Sequence, residues 1–209
     1  MSAFEFFFSF YGLLLGLSVA AIATGMAIAI QNRKRARIGW LTPLLAVFVM
    51  LDIASFWDAA WNTFRDAPFT YGLLIAGLAI ALIYFLAASL VFPYDVEEGV
   101  SLDDHFWANK KLVLLLTSLA SIVMIAVSSP FWLAKPGGVT TMITMGLNLL
   151  LYLALIVPSA FTRRRWLFAA LVGAHTAIYL ALAGLSAIAP EGPTPTAKPS
   201  AVAAVGPAA

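Results

Sequence analysis

Residues 6–37 read FFFSFYGLLLGLSVAAIATGMAIAIQNRKRAR. Phe6–Ile30 is a run of 25 residues with no charged side chain, and Arg33, Lys34, Arg35 and Arg37 follow it at once. About 20 such residues suffice to cross roughly 30 Å of hydrocarbon as a helix. The run is continuous rather than alternating, which favours a helix over a barrel strand, and in lipid only those two structures satisfy their backbone polar groups. A cleavable signal has its basic residues first and a core of about 7–15 apolar residues. Here Glu5 precedes the run and the cations come after it. We therefore expect a retained span whose N-terminus lies opposite the basic cluster.

Five more runs of the same kind follow: Trp40–Phe64, Phe69–Phe92, Leu112–Leu133, Val139–Phe161 and Trp166–Ala189. Composition agrees, since 62% of the 209 residues are hydrophobic and only 11% are charged, against about 25% charged in a soluble domain. The expected fold is all-α: an integral membrane bundle of about six transmembrane helices over residues 1–189. The Pro/Ala-rich tail 190–209 lacks an apolar period and reads as disordered. The loops on one side would hold nine cations (Arg33, Lys34, Arg35, Arg37, Lys110, Lys111, Arg163, Arg164, Arg165), whereas those on the other hold only Arg65 and Lys135. By the positive-inside rule both termini are expected to be periplasmic, in a bacterial inner (plasma) membrane. Trp40, Trp61, Tyr71, Tyr94, Trp107, Trp132 and Trp166 fall at span ends, as an interfacial aromatic belt would.

The one sizeable loop, residues 93–111, is acidic. Ser101, Leu102, Asp103 and Asp104 have the spacing of a capping box, which predicts a helix starting near Ser101 and running straight into the fourth span. Asp103, Asp104 and His105 with Glu97 and Glu98 match no metal-binding spacing, so no metal site is assigned. These acids are expected on a solvated face, pairing with Lys110, Lys111 and Arg163–Arg165.

Asp52 lies near the middle of the second span. A carboxylate there costs about 2.5–3.5 kcal/mol on insertion scales, so it must face the bundle interior, be paired, or be neutral. It is read either as a proton or cation site or as a hydrogen-bonded anchor for another helix. Asp58, with Asn62 four residues on, is expected at the hydrated outer end and about 120° from Asp52 around the helix. Thr141, Thr144, Asn148 and Tyr152 share one face of the fifth span, as a polar path or as inter-helix glue. His175 is the only histidine within a span, with Tyr179 one turn later. A haem would need a partner chain or this single axial ligand, and no cofactor is assigned. Gly12 and Gly16 in the first span and Gly173 in the sixth begin rows of small residues every four positions. Such rows allow close helix packing within the chain or between subunits.

The 209 residues include no cysteine, which excludes disulfides, thiolate metal sites and iron–sulfur clusters. No nucleophile elbow, zinc-protease motif, P-loop or dinucleotide-binding turn is present. No lysine lies in mid-span, so a retinal Schiff base is excluded. The basic clusters are explained as topology signals, so nucleic acid is not an expected partner. Residues 10–18 (FYGLLLGLS), 38–45 (IGWLTPLL) and 104–111 (DHFWANKK) resemble uncharacterised multi-pass membrane proteins of proteobacteria, a resemblance that implies no activity. Two functions are expected from these features. One is an accessory or structural subunit of a membrane complex, or a homo-oligomer, with membrane lipids and a membrane-protein partner or a second copy around it. The other is a small proton or cation channel or transporter using Asp52.

Overall fold

The computed structural model describes residues 3–33, 39–65, 67–68, 70–94 and 102–188. The tail 190–209 and the capping residue Ser101 lie outside the described residues. Six helices follow one another: α1 Ala3–Gln31, α2 Leu41–Phe64, α3 Tyr71–Ser89, α4 Leu102–Leu133, α5 Gly138–Phe161 and α6 Arg165–Ile188. Each is long and apolar enough to cross a membrane. At 1.5 Å per residue the 24-residue helices measure about 36 Å, so this is an all-helical multi-pass membrane protein. Helix α4, at 32 residues, carries the fourth span and also the sequence before it.

The helix ends have local causes. The Thr70 hydroxyl accepts the Leu73 N–H at 3.2 Å and starts α3, satisfying one of the four unpaired donors of a helix N-terminus. Gly137 turns the chain between α4 and α5 at φ 75°, a left-handed conformation that glycine adopts without a Cβ penalty.

Helix α2 sits in the middle and packs on α1, α3, α4 and α6, while α5 reaches the bundle through α4 and α6. One end of the molecule gathers α1, the starts of α4 and α6, and the chain just before α2 and just after α3. There Gly25 approaches Phe92, Gly39 meets Asp103, the Trp40 and Trp166 rings lie 5.9 Å apart, and Arg165 pairs with Asp103 at 3.4 Å. Arg33, Lys110, Lys111 and Arg163–Arg165 belong to this end, hereafter the basic end. Trp132–Thr63 and Phe64–Phe131 contacts define the opposite one.

Trp132 departs from the expected aromatic belt. It is buried, and its indole N–H donates to the Thr63 hydroxyl at 3.3 Å. Trp40, Trp61, Tyr71, Tyr94 and Trp166 are exposed.

The small residues divide by place. A Cβ on Gly12 would overlap the Trp57 ring, and one on Gly77 would come within 2.9 Å of the Phe7 ring, whereas one on Gly16 or Gly173 would meet nothing within 4 Å. Gly12 is thus where α1 closes on α2, and Gly16 and Gly173 lie where a side chain has room among the described residues. Gly12→Val is expected to cost about 1–3 kcal/mol by overpacking. Gly173→Val should stay within about 0.5 kcal/mol of wild type, as away from packed sites. Detergent unfolding of the monomer reads both, and equal losses would contradict this division.

Candidate functional site: a carboxylate held by three tyrosines

Asp52 is the twelfth of the 24 residues of α2, at mid-span on the central helix. Its side chain therefore meets other helices instead of lipid, and it is 2% exposed. Three phenols converge on it. The Tyr179 hydroxyl of α6 donates to Oδ1 at 2.7 Å. The Tyr84 hydroxyl of α3 donates to Oδ2 at 3.0 Å, and that of Tyr152 on α5 reaches the same oxygen at 3.4 Å. A carboxylate offers about four acceptor sites on two oxygens, so three donors come close to saturating it. One side chain thereby ties four helices together.

Aromatic rings close the cluster. Phe56 meets Tyr84 edge-on at 5.2 Å, and Phe48 stacks beside Tyr152 at 6.3 Å. His175 lies among three rings, edge-on to Tyr179 at 4.5 Å, Tyr152 at 5.0 Å and Phe48 at 6.1 Å. It is 6% exposed, and neither ring nitrogen has a hydrogen-bond partner among the described residues. An unpaired buried polar atom costs about 1–3 kcal/mol, and this ring carries two of them, besides the buried Tyr11 and Thr42 hydroxyls, which also lack a partner among the described residues. Among the described residues no group of three or more acidic or histidine side chains gathers as a metal site.

The sequence-based candidates are placed as follows. Asp52, His175 and Tyr179 come together. Asp58 and Asn62 are exposed and belong to a different face of α2. The stripe on α5 divides, with Tyr152 alone bonded to another helix among the described residues. The hydroxyls of Thr141 and Thr144 donate to carbonyls of their own helix, at Gly137 and Thr140, and Asn148 is exposed. Tyr84 was not among the candidates; the available signal is a tyrosine in mid-span, far from either aromatic belt.

Lys110 corrects a second expectation. It does not lie on a solvated face among acids; it is 3% exposed. Its ammonium donates to the carbonyls of Ser159 (2.8 Å), Ala160 (3.1 Å) and Thr162 (2.7 Å), using all three protons on the last turn of α5. A helix end leaves four carbonyls without partners and carries a partial negative charge, so a cation there satisfies both. The ammonium also lies 5.0 Å from the Trp107 ring centroid and 5.5 Å from that of Phe168, within cation–π range. Among the described residues His105 joins no acidic site either, Glu97 and Glu98 lying outside them. Its Nε2 lies 3.0 Å from the Leu90 carbonyl oxygen, tying the start of α4 to the end of α3.

Comparison with protein-family models, with curated proteins and with solved structures returned no match.

Proposed function

We propose that this multi-pass membrane protein is a structural or accessory component that associates with a second copy of itself through the half of α5 and α6 remote from the basic end. One observation carries the reading: Asn148, the eleventh of the 24 residues of α5, is exposed at mid-span and makes no hydrogen bond among the described residues. An amide facing hydrocarbon is unfavourable, and across a helix interface it becomes a source of affinity. Its donor and acceptor make it self-complementary, as a two-fold interface requires. The surroundings fit, since no side chain from Val139 to Leu151 is buried and every residue from Leu180 to Ile188 is exposed. Gly146 and Gly184 leave open space where a Cβ would stand, which suits close approach of another helix.

Because the natural chain lacks cysteine, a single Thr144→Cys gives a clean test. Oxidation in native membranes should yield a disulfide-linked dimer. Asn148→Leu should weaken association by roughly tenfold, equivalent to about 1.4 kcal/mol. A monomeric mass on gentle extraction, with no cross-link at this site, would overturn the reading.

Proton or cation handling at Asp52 is the second reading, supported by the unbonded nitrogens of His175 beside the cluster. The burial of Asp52 weighs against it. Among the described residues, neither Asp52 nor His175 lines the large clefts beside α4 and α5 or beside α1 and α3.

A further inference from the structure

We propose that the cleft between α4 and α5 at the basic end binds an anionic phospholipid, with its phosphate on Lys111 and Arg163. The cleft measures ≈ 720 Å³ and is lined by Trp107, Lys110, Lys111, Phe161, Thr162 and Arg163, among others. Among the described residues three cations line it and no acid does.

The three cations are not equivalent. Lys110 already spends its protons on the end of α5, so it is a fixed part of the wall. Lys111 holds its ammonium 4.7 Å from the Phe161 ring centroid, its stem lying on apolar surface and its charge at the mouth, as lysines do at a membrane interface. Arg163 is exposed, and neither it nor Lys111 forms an ion pair among the described residues. Of the acids among the described residues of α4, Asp103 pairs with Arg165, and Asp104 lies about a helical turn before the cleft residues in the helix.

Below this charged mouth the walls turn apolar. Ala108, Ala160 and the exposed Phe161 supply the apolar lining, and the Trp107 ring stands beside Lys110. A ligand that fits has an anionic head and a hydrocarbon body. Basic pockets between transmembrane helices bind phospholipid head groups on this physical basis. A soluble phosphate would use the cations and leave the apolar wall uncovered.

The test uses the full chain in nanodiscs of phosphatidylcholine with phosphatidylglycerol, followed by native mass spectrometry of the lipids retained. The expected result is one tightly held phosphatidylglycerol. Lys111→Gln with Arg163→Gln should lose it by roughly 30-fold in relative affinity, which is about 2 kcal/mol at 1.4 kcal/mol per factor of ten. Arg164→Gln, outside the cleft lining, should change it less than twofold. Both variants should unfold as wild type does in phosphatidylcholine alone. An Arg164→Gln loss as large as that of the double variant would mean diffuse surface attraction and overturn the site. Full displacement by millimolar inorganic phosphate would assign the cleft to a soluble anion and overturn the lipid. Equal retention of both lipids would also overturn it.

Discussion

Asp52→Ala should destabilise the bundle by roughly 2–4 kcal/mol, a loss comparable to truncating a large core side chain. The three phenols lose their common acceptor and remain buried. Hydrogen bonds between membrane helices average about 0.6 kcal/mol and reach about 1.7, so three of them give about 2 kcal/mol. The rest comes from hydroxyls left without partners and from separated helices no longer exposing a carboxylate to lipid. The tyrosines should follow their distances to the carboxylate, with Tyr179→Phe costing most at 2.7 Å, then Tyr84→Phe at 3.0 Å, and Tyr152→Phe least at 3.4 Å. Asp52→Asn keeps one acceptor oxygen and should cost about half as much as Asp52→Ala. Unfolding in sodium dodecyl sulfate, followed by the fluorescence of the six tryptophans, measures all five. Asp52→Ala at wild-type stability would show that the cluster does not hold the helices.

Lys110→Met should cost about 2–3 kcal/mol, the order expected for charge-assisted hydrogen bonds at a helix C-terminus. Methionine keeps a stem against Trp107 and Phe168 and removes only the ammonium. The carbonyls of Ser159, Ala160 and Thr162 then lose a shared donor, and the last turn of α5 frays. The loss has a local signature: trypsin should cut at Arg163–Arg165, the short link to α6, several-fold faster than in wild type. Loss of global stability with unchanged cleavage at that link would instead point to poor packing of the methionine. No change in either would contradict the cap.

Six spans were legible because each is an uninterrupted apolar run, and the helices end within a few residues of the expected limits. The third is the shortest, Tyr71–Ser89, because the chain turns at Leu90 before the apolar run ends at Phe92. Asp52 was legible as a candidate because an acid in such a run demands an explanation. Its partners were not, since they lie 32, 100 and 127 residues away. Which tyrosines meet it depends on α2 being the central helix and on how each neighbour is rotated. All six helices are apolar nearly all round, so composition does not mark the inward face. Lys110 misled for a related reason. A lysine beside a basic loop reads as solvated, and only the approach of the α5 terminus turns it inward.

We propose that Asp52 is a structural knot joining four helices rather than a transport site. Purified protein in tight liposomes, with a proton gradient and a potassium–valinomycin potential imposed in turn, tests it most directly. Wild type and Asp52→Asn should both leak no faster than empty vesicles, while Asp52→Asn unfolds more readily. Proton or cation flux well above that of empty vesicles in wild type, abolished in a folded Asp52→Asn protein, would contradict the account and make Asp52 and His175 the centre of a conduction pathway.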